Sequence, residues 1–254
     1  MMIARRRSNI LIFLVITVIP LFSHAIVFAQ ETPVISRPFA LIIALAVLSL
    51  APFILIMMTS FVKIAVVLSI LRSALGTQQI PPTQVITGLA FILTIFIMTP
   101  VGLEIHREVK DIIKSPTNQI FSDTSFGLVA KAWTAGREPL REFLKKHAHQ
   151  KERLLFYSLS KRMRKAEDRK MLTPKDFSVL IPAFVISELK EAFQIGFIIF
   201  VPFIVIDMVI SNILLAMGMF MLSPTVISLP FKLLLFVLVD GWGLITKGLI
   251  IGYL

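Results

Sequence analysis

Apolar residues in this chain are gathered into blocks, near residues 10–22, 39–71, 85–103, 178–222 and 226–254, and its polar residues concentrate between the third block and the fourth. A soluble core would interleave the two kinds at helical or strand spacing. Blocks approaching 20 apolar residues are instead what a hydrocarbon layer requires. Charged residues make up 16% of the chain, against roughly 25% in soluble domains. The expected class is therefore all-α, with membrane-type helical hairpins flanking an extramembrane helical segment.

The net charge is +11, and a basic balance of that size can signal nucleic acid, anionic lipid or solubility. Its distribution decides: the stretch from Glu104 to Asp176 carries 17 Lys/Arg and 10 Asp/Glu. That stretch has neither zinc-finger spacing nor a Gly-rich loop, so a solvated helical face near anionic headgroups is expected, and no nucleic-acid partner. Cysteine is absent, which excludes disulfides, thiolate metal sites and Cys nucleophiles.

Arg5, Arg6 and Arg7 precede an apolar run, Ile10 to Phe22, that is too short to span comfortably. Val27-Phe28-Ala29 follows, then Gln30 and Glu31. This is the pattern of a cleavable secretory signal peptide over residues 1–29, cut after Ala29, with Ser23-His24-Ala25 as a second site. An uncleaved first membrane helix is the alternative.

After the leader, the first hydrophobic hairpin is expected over residues 30–103. Its first segment runs from about Phe39 to Leu71, is interrupted by Pro52 and carries Lys63. Pro81-Pro82 ends any helix. Thr83 is the expected N-cap of the second segment, which should close near Pro100 and Gly102. The polar segment, residues 104–176, holds a loop-like stretch at 115–127. An amphipathic helix should start at Pro139, with Leu140, Phe143, Leu144, His147, Leu154, Leu155, Leu159 and Met163 as its apolar stripe. A second hairpin is expected over residues 177–254, interrupted by Pro182 and Pro202 and turning at Met217–Pro224. With the N-terminus outside, the 72–82 turn and the 216–225 loop face inward and the 104–176 segment faces outward.

Ionisable groups inside apolar segments are costly and usually functional. The sequence places Lys63, Glu188, Lys190, Glu191, Asp207, Lys232, Asp240 and Lys247 there. Pairing is expected between Glu188 and Lys232 and between Asp207 and Lys63, within or between subunits, with snorkelling of Lys63 and Lys247 as the plainer alternative. Met217, Met219 and Met221 crowd one short loop with Phe220. Methionine is flexible and polarizable, so such a loop can close a pore around varied substrates or simply pack.

Catalytic signatures are missing. His24, His106, His147 and His149 form no metal pair, since residues two apart diverge on a helix. HExxH, GxSxG, Walker-type and GxGxxG patterns are all absent. No enzyme activity, cofactor or metal is expected.

Several stretches together resemble the FliP family of flagellar export-gate proteins and its counterpart in virulence type III secretion. They are Pro52-Phe53-Ile54-Leu55-Ile56-Met57-Met58-Thr59-Ser60-Phe61-Val62-Lys63-Ile64, Ser69 through Pro82, Pro182 through Lys190, Ala192 through Phe197, Ile206-Asp207-Met208-Val209, and Leu229 through Trp242. The resemblance implies a homo-oligomer, typically of five copies, that joins FliQ-like and FliR-like subunits into a multi-subunit cone. That cone forms the mouth of the export channel in the flagellar basal body of the bacterial inner membrane. The resemblance further implies a periplasm-facing portion, membrane lipid around a multi-pass chain, neighbouring export-gate and rod proteins, and unfolded flagellar proteins as substrate. The family's methionine constriction falls on Met217, Met219 and Met221, with Phe220 interrupting it. Its buried charges fall on Glu188, Lys232 and Asp207. Beside this stand a virulence-system subunit, a small-solute transporter, for which the expected inverted repeat is not seen, and a scaffold without a pore.

Overall fold

The computed structural model describes residues 49, 50, 53, 56–77, 80–113 and 123–254, and all regular structure among them is helical. The expected leader, the cut after Ala29 and the interruption at Pro52 lie outside the described residues. In chain order come α1 (Phe61–Leu75), α2 (Thr83–Ile113), α3 (Asp123–His147), α4 (Gln150–Met163), a 3-10 turn (Asp168–Lys170), α5 (Phe177–Ala216), α6 (Pro224–Leu238) and α7 (Gly241–Ile251).

Two helices are long and apolar enough to cross a membrane, Thr83–Lys110 within α2 and the whole of α5. The bent pair α6–α7, folded by 60°, makes a third candidate if it counts as one span. At 40 residues, α5 is about 60 Å long, roughly twice a hydrocarbon layer.

Prolines account for several departures from expectation. The second segment does not close at Pro100 and Gly102: α2 runs through both to Ile113. Nor do Pro182 and Pro202 interrupt α5. Proline deletes one N–H and crowds one carbonyl, a local defect that a long apolar helix absorbs when neighbours satisfy the freed group. Likewise Pro139 lies inside α3, which begins at Asp123, so residues 123–127 of the expected loop are helical.

The described residues form two compact units, one of those up to 59 and within 98–184, the other of those within 60–97 and 185–254. In the first, Leu140, Phe143 and Leu144 are buried with Val109, Val179, Leu180 and Phe184. The Phe143 ring sits 5.7 Å from Phe184 and 4.8 Å from His147. The single amphipathic helix expected from Pro139 onward is broken at Ala148–His149, where His149 is extended. Nothing in Lys146–Lys151 breaks a helix by itself; the break accompanies burial of Ala148 and Glu152. It leaves Leu154, Leu155, Leu159 and Met163 exposed instead of continuing the buried stripe.

The second unit packs one face of α1 (Ile64, Val67, Leu68, Leu71, Leu75) on Ile86, Ala90 and Leu93 of α2, Ala192 and Phe203 of α5, Phe236 of α6, and Ile245 and Leu249 of α7. The three- and four-residue steps along α1 are those of a helix stripe. Gly196 lets α5 approach: a Cβ there would run into the Ile70 side chain. At the foot of α6, Asp240 adopts a left-handed backbone (φ 50°) and starts α7. The fourth segment is therefore two helices, where a continuous run was expected.

Candidate functional site

Two features of the second unit concentrate what the sequence singled out: a set of buried charges, and the exposed tip between α5 and α6. Lys63 stands near the start of α1 with 2% of its side chain exposed, facing Glu188 at 0%. Its Nζ lies 2.6 Å from Glu191 Oε2 and 3.3 Å from Glu188 Oε2. Glu188 and Glu191 are three apart, so α5 presents both on one face. Tyr253 completes the group. Its hydroxyl donates to Glu188 Oε2, and its ring lies under the Lys63 ammonium at 4.0 Å. Removing one partner from such a dry pair strands a charge.

At the other end of α1 the backbone turns left-handed at Gly76 (φ 76°), whose N–H caps back to Ser73. Helix ends leave carbonyls unpaired, and one of them, Ala74 O, accepts from Lys232 Nζ at 3.4 Å. The same ammonium lies 2.6 Å from Asp207 Oδ2. The hydroxyl of Ser228 donates to Asp207 Oδ1 at 2.5 Å. Three helices, α1, α5 and α6, thus meet at Lys232.

Within the chain these contacts differ from the expected pairing. Lys63 pairs with Glu188 rather than Asp207, and Lys232 with Asp207 rather than Glu188. The contacts Lys63–Glu188, Ile70–Gly196 and Ala74–Lys232–Asp207 follow in the same order along α1 and α5. The two helices therefore run side by side in one sense, which spacing within either helix does not reveal. Sequence reading also missed Tyr253, Ser228 and the Ala74 carbonyl as members. Glu191 had a signal, its three-residue offset from Glu188. Tyr253 stands one four-residue step beyond Ile245 and Leu249, but spacing along one helix does not name Glu188 as its partner.

The tip is fixed in backbone and open in side chain. Beyond Ala216 the N–H of Met219 bonds Leu214 O and that of Gly218 bonds Leu215 O, with Gly218 left-handed at φ 72°. That is a Schellman closure, which satisfies the last carbonyls of α5. Ser223 and Pro224 then start α6, with proline in the first helical turn, where its missing N–H costs nothing. Between these stops Met217, Met219, Phe220 and Met221 all project outward, Phe220 at 76% and Met221 at 99% exposure. Large apolar side chains standing free on a fixed turn offer contact to something outside the chain. Among the described residues no group of His, Cys, Asp and Glu is arranged to hold a metal ion.

Comparison with known proteins follows the same lines. The family model described as the FliP family matches residues 44–249. The flagellar biosynthetic protein FliP of Bacillus subtilis (strain 168) is 48% identical over 225 residues, covering 88% of this chain and 96% of that protein. Yop proteins translocation protein R of Yersinia pestis is 50% identical over 213 residues, covering 84% and 95%. Virulence protein YscR of Salmonella typhimurium (strain LT2) is 44% identical over 218 residues, again 84% and 95%.

Proposed function

The chain belongs to the FliP family, and on that footing we propose that it is a core subunit of a type III protein-export gate, sealing the conduit with the Met217–Met221 tip. Proteins of this family are structural parts of secretion apparatus and not enzymes. Copies of the chain, about five as the family resemblance implies, join FliQ-like and FliR-like subunits in the bacterial inner membrane, at the flagellar basal body. Unfolded flagellar proteins pass between the tips. The tip and the 72–82 turn face the cytoplasm, and the 104–176 segment faces the periplasm.

One observation carries the reading: an apolar tip of three methionines and a phenylalanine, exposed in the single chain, on a backbone turn locked at both ends. Thioether side chains deform around whatever passes and close behind it. Membrane-type helices supply a wall for a ring of such tips. Export without nucleotide chemistry in this chain leaves the driving force to a partner or an ion gradient.

A second reading is favoured by a specific observation. Identity to the Yersinia translocation protein, 50%, matches that to the Bacillus flagellar protein, 48%. The virulence-type gate has the same mechanism and a different cargo. The flagellar assignment rests on the expected leader and the long polar segment.

The test is a chromosomal deletion of Met217–Met221, with export and membrane ion leakage followed together. Retained export with raised leakage supports the seal. Normal export without leakage sinks it. Complementation of a flagellar-gate null and of a virulence-gate null by the intact chain decides between the two cargoes.

A further inference from the structure

The tip is only as well placed as the hairpin beneath it. Asp207 lies nine residues before the end of α5 at Ala216, about 14 Å down the helix. Ser228 and Lys232 lie on the first turns of α6, which begins at Pro224. Asp207, Ser228 and Lys232 therefore tie α5 to α6 a short distance below the tip. Lys232 also reaches a third element, because its Nζ donates to Ala74 O at the C-terminal turn of α1. A Cβ on Gly76 would sit 3.6 Å from Lys232 Nζ and 3.8 Å from Thr225 Cγ2. The left-handed glycine thus belongs to the same junction, and Thr77 follows directly from it.

We infer that Lys232 is the positioning residue of the Met217–Met221 tip: a three-way clamp that fixes the tip relative to the end of α1 at Gly76–Thr77, by holding a carboxylate of α5 and a carbonyl of α1 with one ammonium. This deepens the gate reading and rests on it for its consequence, though the clamp itself is a statement about geometry. Its chemistry is not that of an ordinary ion pair. A pair needs opposite charges and tolerates exchange of their places. A clamp on a backbone carbonyl needs the cation on α6, because a carboxylate at position 232 would face the negative end of the α1 dipole and an oxygen that cannot donate.

Exchange of the charges tells the two apart. A simple pair predicts that the double variant Asp207→Lys with Lys232→Asp regains what each single variant loses. The clamp predicts no regain, since Ala74 O then faces a carboxylate. Lys232→Arg keeps a donor able to reach both oxygens, so it should preserve the placement. Lys232→Met should release it.

The chain contains no cysteine, so probes can be put where they are wanted. Nitroxide labels on Thr77→Cys and Met219→Cys of the full chain, assembled with an excess of unlabelled copies, report the turn-to-tip distance by pulsed electron resonance. Losing a hydrogen bond to a charged group shifts such an equilibrium by about tenfold or more. A single narrow distance should therefore give way to a broad one in Lys232→Met and in the exchanged double variant, and stay narrow in Lys232→Arg. An unchanged distance in Lys232→Met overturns the clamp, and so does a narrow one in the exchanged pair. Ion leakage in the same strains separates the two claims. A broadened distance without leakage leaves the clamp standing and removes the gate reading. Leakage from the tip deletion with an unbroadened Lys232→Met does the reverse.

Discussion

Arg141 and Glu138, like Lys145 and Glu142, are ion pairs three residues apart on the exposed side of α3. Lys63, by contrast, meets Glu188 on a helix far along the chain, with both side chains out of reach of solvent. The polar segment holds most of the chain's net charge and spends it locally, on partners that would be neighbours in any helix. Its charges keep the surface wet and hardly choose a fold, because high dielectric and side-chain entropy cancel most of the attraction. The apolar unit has few charges, and Lys63, Glu188, Glu191, Asp207 and Lys232 join helices that the hydrophobic stripe alone would let slide or rotate. Apolar packing is tolerant of register. A buried cation that needs two particular carboxylates is not.

The largest effect expected is from Lys63→Met. Glu188, held then only by the Tyr253 hydroxyl, would stay in a dry site without its cation, and stability should fall by about 3–5 kcal/mol. Thermal unfolding in detergent measures it. A loss under about 1 kcal/mol would mean that the pair specifies nothing. Next comes Gly196→Val, which drives a branched side chain into Ile70 and should cost about 1–3 kcal/mol by overpacking. If α1 and α5 are registered by the charges alone, this variant will unfold with the parent. Tyr253→Phe keeps the ring under Lys63 and removes one donor from Glu188, for a loss of about 1–2 kcal/mol. Smallest is Glu142→Gln, where half-exposed partners should leave stability within about 0.5 kcal/mol of the parent. A larger loss there would erase the distinction between the two regions.

Much of this was legible in the residues. Blocks of apolar residues announced the long helices, and the prolines at 81 and 82 marked the turn after α1. Lys63, Glu188, Asp207 and Lys232 were suspect simply because charges rarely stand in such company. Their partners were not legible. Spacing shows which residues share a face of one helix, but not which helix lies opposite or which way it runs. The breaks were misread for a related reason. Pro100, Pro182 and Pro202 carry the strongest local breaking signal in the chain, yet they sit inside helices. Ala148–His149 and Val239–Asp240 carry almost none, yet they separate helices. In neither direction does the propensity of a single residue decide where a helix ends. Tyr253 lies past the end of the family match at residue 249, and only the folded chain brings it to Glu188.

Gly218 and Pro224 have a consequence in time. A turn closed by backbone hydrogen bonds on one side and a proline on the other has few slow motions left to it. What remains free at Met217, Met219, Phe220 and Met221 is rotation about side-chain bonds, which for exposed groups takes picoseconds to nanoseconds. Rearranging a helix takes microseconds or longer. Whatever touches this tip therefore meets a surface that reshapes itself far faster than the helices carrying it can rearrange.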